Sequence, residues 1–190
     1  MWQRWLDADA PNDSLANVDF AASGAAALPV ELFEGVKNRF GVEIAQGYGL
    51  TETSPVVTLG RGVPVRPASV GRVLPGVDVA LVDEAGAPVD IGDEGEIVVR
   101  SPGVFLGYLD DQEATESVLS EDGWLWTGDV GIFDDDDNSG SGTGSGSVHS
   151  AGPADWRADP AASEATSILD DDRPAGGGAV RGRPKAPRRN

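Results

Sequence analysis

The apolar positions of the chain change their period along its length, and each change marks an element. Val18-Asp19-Phe20-Ala21-Ala22 reads as a short strand that stops at the small-residue loop Ser23-Gly24-Ala25-Ala26-Ala27. Pro29 then suits a first helical turn, and Leu32, Phe33, Val36 and Phe40 recur at helical spacing. Gly41 stands where a left-handed cap would end that helix. Val42–Gln46 is a second strand, followed at once by Gly47-Tyr48-Gly49-Leu50-Thr51-Glu52-Thr53-Ser54-Pro55. Strand, helix and strand joined by tight loops form a βαβ unit, and ligands in such sheets gather beyond the carboxyl ends of the strands. The loops 23–27 and 47–55 both sit at such ends.

After Pro67 the pattern turns to β. Val77, Val79 and Leu81 alternate with Asp78, Ala80 and Val82, and Asp83-Glu84-Ala85-Gly86 reads as a hairpin turn. Glu94–Arg100 is a further strand, and closely spaced glycines from Gly71 to Gly103 point to a small barrel or curved sheet. Asp110–Leu119 reads as a short acidic helix with Ala114, Val118 and Leu119 facing inward. Trp124–Gly131 returns to a strand whose Gly128-Asp129 step exposes a carboxylate. From Asn138 the texture changes to Gly, Ser, Pro and Arg. Val148, Trp156, Ile168, Leu169 and Val180 are the only large apolar side chains after that point. So few apolar groups do not offset the entropy of ordering, and 138–190 reads as a disordered tail.

Charge sharpens this division. The 190 residues carry a formal net charge of −18. Residues 1–137 hold 26 acidic and 7 basic groups, whereas 138–190 hold 6 and 7. An acidic body with only two lysines, Lys37 and Lys185, fits a high-salt cytoplasm, and equally an Arg-favouring, GC-rich genome. The acidity argues against nucleic acid or anionic lipid as a partner, since phosphate polyanions would be repelled. With no cysteine, disulfides, thiol nucleophiles and Cys-ligated metals are excluded. No apolar run approaches the roughly 20 residues of a membrane span, and Met1–Ala10 lacks the basic and apolar regions of a secretory signal. The expected compartment is the cytoplasm. Asp134–Asp137 and Asp170–Asp172 read as solvated charge, and the basic end from Arg181 to Arg189 as a solvated tail. His149, alone in a Gly/Ser stretch, has no catalytic company.

Three pieces in order carry a resemblance. Gln46-Gly47-Tyr48-Gly49-Leu50-Thr51-Glu52-Thr53-Ser54-Pro55 resembles the adenylate-binding motif of the acyl-adenylate-forming, AMP-dependent synthetases and ligases. Ser23–Pro29 lies where that superfamily carries its adenine-side loop, and Gly123-Trp124-Leu125-Trp126-Thr127-Gly128-Asp129 is similar to its Gly-Trp-x-x-Thr-Gly-Asp. Ser69–Arg72 with Pro75-Gly76, then Gly95-Glu96-Ile97 and Gly107-Tyr108, fall between them in the family's order. The resemblance covers roughly 14–137 and looks strongest toward long-chain fatty-acid–CoA ligases. It implies an α/β fold with a β-rich subdomain, part of the N-terminal domain of such an enzyme. The expected divisions are a lead-in at 1–13, the βαβ part at 14–66, the β-rich part at 67–137 and the tail at 138–190.

The implied reaction joins ATP and a carboxylate into an acyl-AMP, releasing pyrophosphate, and then passes the acyl group to CoA. By resemblance Tyr48 stacks on adenine while backbone at Gly24 and Ala25 reads its edge. Thr51 donates to the α-phosphate, Glu52 holds Mg²⁺, and Asp129 accepts hydrogen bonds from the ribose hydroxyls. Gly47 and Gly49 allow close approach and wall the acyl pocket. Taken singly these residues have plainer readings: Tyr48 as a packed strand-end aromatic, Thr51 and Glu52 at a helix start, Asp129 in a turn.

The departures point the other way. The family's phosphate loop lies upstream of its adenine-side loop, and the chain is expected to begin too late to hold it. Ser139–Ser147 lacks a lysine and follows Asp129, so it is rejected as a phosphate cradle. The family's hinge and catalytic lysine have no counterpart, since Lys185 sits in Arg-Pro-Lys-Ala-Pro. The reading is thus a ligase fragment, inactive alone or needing a complementing domain or chain. The alternative is a non-catalytic nucleotide-binding remnant, or the product of a frameshifted or truncated gene.

Overall fold

The computed structural model describes residues 1–62, 64–67 and 69–133, and the backbone of 147–153. Helix α1 (Trp2–Asp7) precedes strand β1 (Ala21–Ser23), helix α2 (Val30–Phe40) and strand β2 (Ile44–Tyr48). Strands β3 (Thr58–Leu59), β4 (Ser69–Val73), β5 (Asp78–Val82) and β6 (Glu94–Arg100) follow, then α3 (Gln112–Val118), β7 (Leu125–Phe133) and β8 (Ser147–Pro153). The strand order is β1-β2-β3-β4-β8-β7-β6-β5. Among the described residues only β1 and β2 run parallel, joined by α2, so the βαβ unit is present and an antiparallel β-rich part continues from it.

Helix α2 forms where its apolar spacing demands. Phe33, Val36 and Phe40 are buried against Leu28 and Ile44, each burial contributing about 1.5–3 kcal/mol. Gly41 ends the helix at φ 71°, its N–H donating to the Lys37 carbonyl at 2.9 Å. The lead-in has more structure than its composition announced. Leu6 of α1 lies against Gly35, and Arg39 of α2 donates to the carbonyls of Leu6, Ala8 and Ala10.

Both predicted N-terminal strands are displaced toward the C-terminus. Val18 N–H is taken by the Leu15 carbonyl in a turn, so β1 starts only at Ala21, opposite Ile44. β2 runs on to Tyr48 because its end forms an antiparallel pair with β3, Tyr48 opposite Thr58. The β6 strand forms with the predicted limits, and the predicted turn after β5 is held by Asp83 Oδ1, which accepts from Ala85 N and Ala87 N, both at 2.9 Å.

Strand β6 is covered on both faces. Ile97 and Val99 join Val79, Leu81, Val57 and Val70 in one cluster, while Val98 packs with Val82, Trp124 and Trp126 in another. Arg100 lies over the Trp124 ring at 4.7 Å and pairs with Asp78 at 3.0 Å. In α3 the inward residues Ala114, Val118 and Leu119 are half-buried, and Asp111 caps the helix by accepting from Ala114 N at 2.9 Å.

Part of the stretch read as tail is ordered. Residues 147–153 form β8, which pairs with β4 (Ser69 opposite His149) and with β7 (Ile132 opposite His149). Backbone pairing between two existing strands needs no large apolar side chain, which is why the apolar count missed it. Asp134–Asp137, Asp170–Asp172, Lys185 and the basic end lie outside the described residues. Among the described residues no helix is long and apolar enough to cross a membrane.

Candidate nucleotide site

The site is assembled at the carboxyl ends of β1 and β2. Their parallel register sets Ser23 beside Gln46, so the loops 23–27 and 47–55 leave the sheet side by side. A Cβ on Gly24 would stand 3.3 Å from the Gly47 carbonyl oxygen, which shows how closely the two loops meet. Buried Gln46 ties them together: its Oε1 accepts from Leu28 N at 3.0 Å, and its Nε2 donates to the Ser69 carbonyl at 3.5 Å. Ala25 sits at φ 66°, a left-handed conformation that an alanine adopts only at a cost of about 1–2 kcal/mol.

The second loop is tightened by Thr53. Its Oγ1 accepts from Leu50 N and donates to the Leu50 carbonyl, both at 2.9 Å, and a single 3₁₀ turn, Thr51–Thr53, results. Gly49 is required by the loop's own closure, since a Cβ there would fall 1.9 Å from the Pro55 carbonyl oxygen. Thr51 is exposed at the start of the turn and Glu52 is half-buried.

Asp129 reaches this region from β7 through a bulge. Opposite the single β6 residue Ile97, between the pairs Glu96–Val130 and Val98–Trp126, stand Thr127, Gly128 and Asp129. Gly128 takes φ 76° there, and its N–H donates to buried Glu96 Oε1 at 2.8 Å. Thr127 Oγ1 donates to the Ile97 carbonyl at 2.7 Å and accepts from Asp129 N at 3.1 Å. The bulge re-aims Asp129, whose Oδ2 accepts the Tyr48 hydroxyl at 2.8 Å. Burial pushes the Tyr48 phenol well above its usual pKa; the Thr127 hydroxyl opposes it as the next largest influence, and the Asp129 charge and hydrogen bond add to the rise.

Glu52 has a partner that motif reading did not assign. Tyr108, on the loop before α3, donates its hydroxyl to Glu52 Oε1 at 2.8 Å, and Phe105 N donates to the Glu52 carbonyl at 2.8 Å. Gly107-Tyr108 was legible as a motif fragment, but its meeting with Glu52 was not. Glu96 likewise stood in a recognised fragment without a role. All the candidate residues therefore fall in two neighbourhoods, Gly24, Ala25, Gly47, Tyr48, Gly49 and Asp129 in one, Thr51 and Glu52 on the adjoining turn.

The donor set is one of hard oxygens. Among the described residues no three His, Cys, Asp or Glu side chains gather as a metal cage. A lone carboxylate suits Mg²⁺, which keeps water and takes further ligands from phosphates.

The βαβ unit and antiparallel β-rich part, with two small-residue loops meeting a Thr-Gly-Asp bulge, match part of the N-terminal domain of adenylate-forming enzymes. The family model of the AMP-binding enzymes matches residues 1–109, and the chain belongs to that family. The chain is 38% identical over 124 residues to luciferin 4-monooxygenase of Photinus pyralis, covering 64% of this chain and 22% of that one. With 4-coumarate–CoA ligase 1 of Glycine max it is 38% identical over 129 residues, covering 64% and 44%. A solved malonyl-CoA ligase, a ternary product complex with methylmalonyl-CoA and AMP bound, superposes with a TM-score of 0.64 at 36% identity, covering 75% of this chain and 28% of that one. The chain thus spans less than half the length of each of these relatives.

Proposed function

We propose that residues 14–137 provide the adenylate-binding face of an AMP-forming acyl-CoA ligase, with the βαβ part ending near 66. The observation that carries this reading is the Tyr48–Asp129 hydrogen bond of 2.8 Å, which joins the two motifs assigned to purine and ribose. An ATP seated there has its adenine on the Tyr48 ring, edge-on to the backbone of Gly24 and Ala25. The ribose hydroxyls donate to Asp129, a carboxylate with acceptor positions beyond the one used by Tyr48. The Thr51 hydroxyl is exposed toward the α-phosphate, where a carboxylate oxygen attacks and pyrophosphate leaves. Mg²⁺, when bound, neutralises phosphate charge, and Glu52 is the residue that holds it.

The substrate in this reading is a fatty acid or related carboxylate and the final acceptor is CoA, in the cytoplasm. Support for the ligase class comes from the malonyl-CoA and 4-coumarate–CoA ligases among the similar proteins. The test uses the full 190-residue chain: AMP binding by calorimetry, and pyrophosphate release from ATP with palmitate, coumarate or malonate. Release with palmitate alone supports the full reading. AMP binding without any release supports the non-catalytic alternative, with a complementing domain or chain as the missing partner. No AMP binding overturns both.

A further inference from the structure

We propose that Tyr108 is the positioning residue for the Glu52 carboxylate, and that it thereby sets how much a divalent cation strengthens nucleotide binding. This rests on the assignment of Glu52 as the cation-holding residue. Glu52 stands half-buried on a single 3₁₀ turn, with a side chain long enough to sample several rotamers. A loop from elsewhere in the chain removes that freedom. Tyr108 Oη donates to Glu52 Oε1 at 2.8 Å, and Phe105 N donates to the Glu52 carbonyl at 2.8 Å, so the loop grips both ends of the same residue.

The loop is itself held in place. The Tyr108 ring meets Phe105 edge-on at 4.8 Å, and Tyr108 N donates to Thr115 Oγ1 at 2.9 Å. Thr115 Oγ1 in turn donates to the Asp111 carbonyl at 2.9 Å, which ties the loop to the first turn of α3. Gly107 makes this approach feasible, with φ 144° and a Cβ position only 2.8 Å from Thr115 side-chain atoms.

The choice of a phenol has a chemical meaning. A lysine or arginine at the same place would cancel the carboxylate charge that a cation needs. A neutral O–H fixes Oε1 by one charge-assisted bond and leaves the negative charge and Oε2 for the ion. Mg²⁺ demands near-ideal geometry and dehydrates reluctantly, so a carboxylate already aimed costs less ordering when the ion arrives. Tyr108 is 40% exposed and belongs to neither apolar cluster of the β-rich part, so Tyr108→Phe removes the hydroxyl while keeping the ring contact.

The experiment measures ATP affinity of the full chain in EDTA and in saturating Mg²⁺, with Mn²⁺ paramagnetic resonance reporting the ion in the ternary complex. Tyr108→Phe is expected to lose about 3- to 10-fold of the metal-dependent gain while its EDTA affinity stays at the wild-type value. Glu52→Gln loses most of the gain, and adding Tyr108→Phe to it changes nothing further. Thr115→Val, which loosens the Tyr108 backbone without touching its hydroxyl, gives a smaller loss in the metal arm. Wild-type gain in both Tyr108→Phe and Thr115→Val, with Glu52→Gln still deficient, overturns the positioning role and leaves the Glu52 assignment standing. Equal losses in the EDTA and metal arms overturn it in favour of a structural role. A full gain in Glu52→Gln, or no gain in the wild type, overturns the Glu52 assignment and the positioning role with it.

Discussion

Tyr48 donates its hydroxyl at 2.8 Å to Asp129, 81 positions further along the chain, linking the end of β2 to the bulge in β7. The two groups have separable duties toward a nucleotide. Asp129→Ala is expected to weaken AMP binding by about 10- to 100-fold, the scale of a lost charged hydrogen bond. Tyr48→Ala costs about as much through lost stacking, whereas Tyr48→Phe, which keeps the ring, costs less than about 3-fold. Calorimetric titration with AMP checks all three.

The same pair governs behaviour in alkali. The folded state raises the Tyr48 pKa above its value of about 10 in the unfolded chain, so the neutral phenol is favoured on folding. Its contribution is complete below pH of about 10 and is lost above it, because the unfolded state releases the proton first. Unfolding free energy is therefore expected to fall on the alkaline side in the wild type and to fall less steeply in Tyr48→Phe. In Tyr108→Phe, which leaves Tyr48 as the sole tyrosine, tyrosinate absorbance should appear together with loss of structure.

Two loop positions predict opposite responses to one methyl group. Ala25 at φ 66° is strained, so Ala25→Gly relieves the left-handed cost and stabilises by about 0.5–1 kcal/mol after the entropy of the unfolded chain is counted. Gly49→Ala meets the Pro55 carbonyl oxygen and destabilises by more than about 2 kcal/mol, since the obstacle is backbone. Urea denaturation of the two variants gives both signs.

Salt separates the two explanations of the acidic composition. If the −18 charge is an adaptation to a high-salt cytoplasm, the melting temperature climbs steadily as KCl is raised to about 1 M and beyond. An early plateau instead matches an acidic protein from an Arg-favouring genome.

The sequence made much of this architecture readable, for reasons that differ by element. Helix α2 was visible because Leu32, Phe33, Val36 and Phe40 leave one face, and Gly41 supplies the left-handed end. β1 was misplaced because Val18 and Phe20 look like strand residues, yet the Val18 N–H is claimed by a turn. β8 was invisible because backbone pairing, and not apolar content, builds it. Within the site, motif order singled out Tyr48, Glu52 and Asp129, and the structure joins Tyr48 to Asp129 directly. The Glu52–Tyr108 bond, spanning 56 positions, depends on a loop geometry that no local pattern encodes. Gln46 was legible as the start of a motif, but its double duty between Leu28 and Ser69 was not.

The bulge that presents Asp129 also constrains how this chain can change in length. Between the pairs Val98–Trp126 and Glu96–Val130, β7 carries two more residues than β6. An even surplus leaves the alternation of side chains in phase on either side, so Trp126 and Val130 keep the facing that their partners expect. Removing one residue from Thr127–Asp129 would throw one flank out of phase and turn the Trp124–Trp126 region away from Val98. Removing two would restore an ordinary ladder and abolish the bulge that presents the carboxylate. Variation in this segment is therefore quantised: odd changes cost the core, and even ones cost the site.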